Sequence, residues 1–195
     1  MSLGTADFRV LAGSTVTNTG KTTVKGIVGV YPGSAVVGFP PGTALAIHSA
    51  DTAAKQAAAD GRTAFNAKPS FPIKPMEQDL GGKTLSPGEY AFSSSAAMTG
   101  TLTLDAKGDA NAVFVFRIGS TLVTASGAKV LLINGAKSVN VLFLVGSSAT
   151  LGTGTKLFGT IIAEESITLT TGSSCSRAIA LTGAVTLDSA TISGD

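Results

Sequence analysis

Five kinds of residue in this chain could support chemistry, and four of them stand in arrangements that defeat it. Gly20-Lys21-Thr22 has the closing residues of a phosphate-binding loop. Such a loop needs a glycine five positions before Gly20, where Thr15 stands, and a helix after it, where Thr23 to Val28 reads as strand. That spacing rejects nucleotide binding. Glu164 and Glu165 are adjacent carboxylates, but neighbours on a strand point to opposite sides, so they cannot act together as acid and base on one substrate. A solvated corner is their expected place. His48 is the only histidine, so neither a metal cluster nor a Ser-His-Asp constellation can assemble around it. The single Cys175 excludes an intramolecular disulfide and reads as a small buried hydrophobe. No catalytic residue, metal ligand or cofactor is expected, and the chain does not read as an enzyme.

What remains is hydroxyls in a fixed spacing. Thr150, Thr168 and Thr186 recur every 18 residues, flanked by the aliphatic columns Ala149/Ile167/Val185 and Leu151/Leu169/Leu187. An apolar-Thr-apolar triplet alternates with period two, so each copy is a strand with aliphatics on one side and threonine on the other. Each copy also carries a short tetrad: Thr153-Gly154-Thr155-Lys156, Thr171-Gly172-Ser173-Ser174 and Ser189-Ala190-Thr191-Ile192, with Thr124-Ala125-Ser126-Gly127 earlier. Threonine is a good strand residue and Gly and Ser serve corners, so periodicity alone leaves a structural and a functional reading of these hydroxyls open.

Such columns require a particular scaffold. A fixed register over three copies separated by turn residues reads as a mainly β solenoid, in which each coil stacks on the last. At about 3.3 Å per residue, 18 residues make three short strands and three corners, hence a triangular coil. Upstream the register loosens. Val115 lies over Leu142 at an offset of 27, which implies an extra excursion in one coil, and Leu104 over Leu122 restores 18 for a single pair. Residues 8 to 39 also look like coils. An Ala-rich, Pro-free segment predicts one helix over about 48–66, and the Pro- and Gly-rich stretch 69–88 predicts a cap or crossing loop over an open strand edge. Residues 1–195 are read as one domain.

Composition narrows the partners. Charged residues are 13% of the chain, the net charge is +2, and no basic run or tryptophan is present, which argues against nucleic acid. No apolar run approaches the roughly 20 residues of a helical membrane span. Met1-Ser-Leu-Gly4 looks like a start added to a trimmed mature chain rather than a signal peptide. A surface built from Ser, Thr, Ala and Gly suggests a broad neutral face whose task charge would disturb.

Phe8 to Gly20, Gly38-Phe-Pro-Pro-Gly42, Asp79-Leu-Gly-Gly82, Ser86-Pro-Gly-Glu-Tyr90 and Gly146 to Thr155 together resemble the microbial ice-binding protein family over nearly the whole chain. The resemblance implies a discontinuous right-handed β-solenoid with one long helix beside it. It also implies secretion, and adsorption to an ice crystal surface through a flat face bearing a loose Thr-Ala/Gly-x-Thr/Asn pattern; a monomer is expected. On that basis the ice-binding residues are expected to be Thr124, Ala125, Ser126, Thr153, Gly154, Thr155, Thr171, Gly172, Ser173, Ser174, Ser189, Ala190 and Thr191. Thr150, Thr168 and Thr186 form the alternative face. The rival reading is a carbohydrate-binding or adhesin module, which hydroxyl ladders also suit. A second rival, a polysaccharide-degrading solenoid enzyme, lacks the cluster of acids or bases it would need.

Overall fold

The structure, a computed structural model, describes residues 7–194. The reading of Met1 to Gly4 as an added start lies outside them. All strand pairings among the described residues are parallel, and they form three ladders. From edge to edge the first ladder contains Ala46–Ser49, Ile27–Val30, Phe8–Ala12, Ser174–Ala180, Lys156–Ala163, Val141–Val145, Phe114–Ile118, Gly88–Phe92 and Ile73–Pro75. The second contains Ala96–Met98, Leu122–Thr124, Ala149–Leu151, Ile167–Leu169, Val185–Asp188, Thr15–Thr19 and Ala35–Val37. The third joins Thr23–Val24, Thr191–Ile192, the starts of the two long first-ladder strands, Lys129–Ile133, Thr101–Asp105 and Thr84–Leu85.

Much of the predicted register is present. Thr150 pairs with Thr168 and Thr168 with Thr186, and Val115 pairs with Leu142 at the offset of 27. The residues that account for that offset run between Lys129–Ile133 and Val141–Val145 and include a 3-10 turn, Ser138–Asn140. Two alignments fail. Leu104 pairs with Leu85 and Leu132, whereas Leu122 pairs with Ala96 and Ala149, so these leucines belong to different ladders. The spacing of 18 also breaks at Ile161, which pairs with Ala178 and not with the residue 18 further on, because the pairing slips between Leu157 and Thr160. A slip of one residue reverses the side on which every following side chain lies. Ala178 is accordingly in the main core, and Ile179 faces the helix. Cys175 is buried as expected, between Leu157 and Ile192 on the neighbouring strands. Burial pushes its thiol up to about 12, so it is inert as a nucleophile.

The first described strand, Phe8–Ala12, does not lie at an end of the stack. Val10 pairs with Ala178 and Val16 with Val185, so the first strands sit against the last ones. From this middle position the chain climbs to one edge at Ala46–Ser49, returns through helix α1 (Thr52–Phe65), and restarts at the opposite edge with Ile73–Pro75. The expected helix start at about 48 was too early. Ala46–Ser49 extends the ladder beside Ile27–Val30, Ala50 turns with φ 51°, and Asp51 caps the helix by accepting from the Ala54 N–H at 2.8 Å. Buried Ala54, Gly61 and Ala64 line its inner side, against Phe8, Leu11, Ile162 and Ile179. The stretch 69–88 lies over the strand edges at this end, where it supplies Ile73–Pro75, Thr84–Leu85 and a bridge from Asp79 to Ala97. Pro69, Pro72, Pro75 and Pro87 at this end, and Pro32, Pro40 and Pro41 at the other, blunt the two exposed edges.

The interior is apolar and layered. Tyr90, Phe116 and Phe143 stack at centroid distances of 5.6 and 4.8 Å, one per turn of the chain. Polar ties hold the irregular parts. Glu89 pairs with Arg117, whose Nη2 donates to the Ala67 carbonyl at 2.6 Å, and Glu89 also accepts from the Ser70 N–H at 3.0 Å, fixing the segment after the helix. Asp105 accepts from Asn134 Nδ2 and from the Lys107 N–H at 2.8 and 2.9 Å and pairs with Lys107 Nζ. Lys107 and then Asn134 hold its carboxyl down to about 2. A carboxyl depressed from about 3.9 contributes stability above that value and loses it as pH falls toward 2. The gap in melting temperature between the protein and Asp105→Asn should therefore narrow from pH 4 to pH 2; a constant gap would contradict this.

Candidate functional site

The outward side of the second ladder is the most regular surface of the molecule. Along its seven strands the central outward residues are Ala97, Val123, Thr150, Thr168, Thr186, Thr17 and Val37, each paired with the next. Their inward neighbours, such as Leu151, Leu169, Leu187 and Val16, are fully buried. Alternation along each strand therefore separates a dry side from an exposed one. Val123 and Val37 stay 49% and 57% exposed, large apolar groups in open water within an otherwise hydroxyl-rich column. The flanking rows are also small: Thr121, Ser148, Ser166, Ala184, Thr15 and Ala35 on one side. On the other stand Thr99, Ala125, Gly152, Thr170, Asp188 and Thr19. With strands about 4.8 Å apart and same-side residues about 6.7 Å apart, the four threonines span roughly 14 Å and the seven strands roughly 29 Å.

Charge is confined to the margins. Asp188 is partly buried and accepts from the hydroxyls of Thr171 and Ser189. Glu165, at the corner toward the first ladder, accepts from Ser147 Oγ at 2.9 Å. Glu164 points elsewhere, to Arg62 on the helix, with Nη2 donating to Oε1 at 2.9 Å. The two glutamates are thus on different partners, and Glu164 is an ion pair rather than the freely solvated group expected from sequence. Replacing both by Gln should leave any surface activity of the second ladder intact and cost at most about 1 kcal/mol, since the Arg62 pair is exposed. Loss of activity in a folded double variant would overturn this assignment. His48 has no catalytic company: Nδ1 lies 2.6 Å from Asp51, and the ring packs against Phe8. Gly20-Lys21-Thr22 is a corner, in which Gly20 has φ 76° and the buried Thr22 hydroxyl accepts from the Ala190 N–H.

Apart from Ala125 in its flanking row, the tetrads lie at the rim of this flat surface rather than on it. They form the corner between the second and third ladders. Gly127, Gly154 and Gly172 share φ values of 71°, 71° and 70° there, a conformation that favours glycine. Side chains on opposite ends of each tetrad point differently. Thr124, Thr155, Ser173 and Ala190 are buried and cannot touch an external surface, which corrects their expected role. Thr155 and Thr124 share a hydrogen bond at 2.7 Å, and Ser173 Oγ donates to the Thr170 carbonyl at 2.6 Å. Ala125, Ser126, Thr153, Thr171, Gly172 and Thr191 are exposed, with Gly154, Ser174 and Ser189 half-buried. Ser174 pairs with Thr191, so the tetrad at Ser189 is one residue out of the assumed alignment. Sequence reasoning missed Thr17, Val123, Val37 and Ala97. The alternation in Ser14-Thr-Val-Thr17-Asn-Thr19 was visible, but not its place beside Thr186.

A family model described as ice-binding-like matches residues 10–193. The chain belongs to that family. It is 54% identical over 197 residues to an ice-binding protein of Nostoc sp. (strain HG1), covering 98% of this chain and 73% of that protein. An ice-binding protein of Leucosporidium sp. (strain AY30) is 32% identical, with 98% and 82% covered. Among solved structures, an ice-binding protein from the Antarctic ascomycete Antarctomyces psychrotrophicus superposes with a TM-score of 0.91 at 39% identity, over 97% of this chain and 95% of that one. One from an Antarctic biological consortium gives 0.92 at 43% identity, over 98% and 92%. The ice-binding-like family is one of binding proteins, not enzymes, and its solved members share the mainly β architecture of parallel sheets with a single α-helix.

Proposed function

We propose that this protein adsorbs to ice through the outward side of its second ladder, slowing crystal growth and recrystallisation. The observation that carries the reading is the unbroken column Ala97-Val123-Thr150-Thr168-Thr186-Thr17-Val37, neutral and one residue per strand. Family membership and the names of its relatives support it. The physics is coherent. A fixed grid of methyls and hydroxyls can hold a layer of water in an ice-like arrangement, whereas charges would order water around themselves. Many weak contacts sum only when their spacing is set before binding, and a ladder of paired strands fixes it.

The finer architecture belongs to the same reading. The three ladders wind as a right-handed solenoid of triangular cross-section, in one domain that acts as a monomer and is secreted. The carbohydrate-binding alternative is less well supported, since Tyr90 is buried in the core and Tyr31 packs toward the helix, leaving no tyrosine as a stacking platform. A droplet held just below freezing with purified protein tests the reading. Faceted, growth-arrested crystals are expected; round crystals growing as in buffer would reject it.

A further inference from the structure

The join between the last and first strands holds two guanidinium groups that the fold leaves short of partners. Because Val10 pairs with Ala178, Arg9 and Arg177 lie side by side on neighbouring parallel strands. Their side chains are only 19% and 18% exposed. Like charges directly opposite one another destabilise a sheet, and a buried charge needs hydrogen bonds. Few are present. Asp7 Oδ1 lies 2.8 Å from Arg9 Nε and 3.9 Å from Arg177 Nη2, and Arg9 Nη1 donates to the Ser176 carbonyl at 3.4 Å. Both Nε groups are buried without an aligned acceptor. Among the described residues one half-exposed carboxylate therefore faces two cations, leaving a net positive charge. Burial, and then the neighbouring Arg9, lower the Arg177 pKa, consistent with that shortage.

The surroundings are shaped for an arginine lying flat. The stem of Arg9 passes Gly26 so closely that a Cβ there would meet its Cγ at 2.2 Å, and a Cβ on Gly194 would meet its Nη1 at 2.6 Å. We propose that Arg9 and Arg177 form a binding site for a small oxyanion, which closes the join between Phe8–Ala12 and Ser174–Ala180. Paired guanidinium forks match a group bearing two or more adjacent oxygens and do so better than a lone cation would. Sulfate and phosphate have that chemistry, as does the carboxylate of Asp195, which follows Gly194 in the sequence.

Titration with sodium sulfate at constant ionic strength, read on the arginine Nε–H resonances by NMR, tests the site in the intact protein. Both resonances should move together and saturate. At ten times the dissociation constant the melting temperature should exceed that in matched chloride by about 3–6 °C. Arg177→Gln should weaken sulfate binding at least tenfold and remove that increment, while Lys74→Gln, remote from the join, should keep it. Resonances already displaced without sulfate, and released by Asp195→Asn, would assign the oxyanion to the chain's own carboxylate and uphold the site. Unmoved resonances in both proteins would overturn it, as would an equal sulfate increment in Arg177→Gln, which would reflect general salting-out. Should Arg177→Gln fail to fold, the wild-type titration decides alone.

Discussion

Thr168→Tyr is expected to abolish most of the ice-growth inhibition while leaving the fold intact. Thr168 is the middle of the threonine run, with Thr150 and Thr186 on the adjacent strands. A phenol there stands several ångströms proud of its neighbours and holds the rest of the column away from the lattice. Adsorption by many weak groups requires them all at once, so one protrusion should lower inhibition roughly tenfold at equal concentration. Tyrosine is a good strand residue and the position is partly exposed, so the melting temperature should move by no more than about 2 °C. The matched control is Thr153→Tyr, exposed on the corner. Gly172→Tyr is unsuitable, because φ 70° disfavours any side chain and a loss could come from strain. If Thr153→Tyr silences the protein and Thr168→Tyr does not, the corner is the site and the second ladder is not.

The second large effect is on stability. Leu169 is fully buried between Leu151 and Leu187 in the column directly beneath the threonines. Leu169→Ala removes its methyls and leaves a cavity that paired strands on both sides cannot collapse to fill, at a cost of about 2–5 kcal/mol. For a chain of this size that is a fall of about 4–20 °C in melting temperature. An unchanged unfolding curve would mean that the inward column is misplaced. Because side chains alternate across each strand, a misplaced inward column would displace the outward one as well.

Inward alternation made the late turns of the stack legible from sequence. Ala149, Ile167 and Val185 repeat locally, and each must bury the same side, so register followed from pattern alone. The slip at Ile179 was not legible, because it depends on how Gly159 (φ 154°) passes Val141, a contact between distant segments. The pairing of Thr17 with Thr186 was equally hidden, since parallel strands far apart in sequence carry no shared turn to announce them. The place of the tetrads at a corner was hidden for a different reason. Their shared spacing is real, but a glycine in the second place is first a turn signal, and periodicity cannot distinguish a corner from a strand. At Ala46–Ser49 helical propensity gave way to pairing with Ile27–Val30 and to the cap at Asp51.

The mid-stack start has a consequence for how the protein is made. Thr17 is synthesised well before Thr186, yet they are neighbours, so the four-threonine run does not exist until Val185–Asp188 has docked on Thr15–Thr19. A nascent chain holds one side of Phe8–Ala12 and of Thr15–Thr19 unpaired until Ser174–Ala180 and Val185–Asp188 are made, at the point in a protein's life when such edges are most prone to pair wrongly. Completion of the threonine run and closure of that edge are therefore the same event. A chain cut short before Val185 would lose the continuous column and keep the exposed edge.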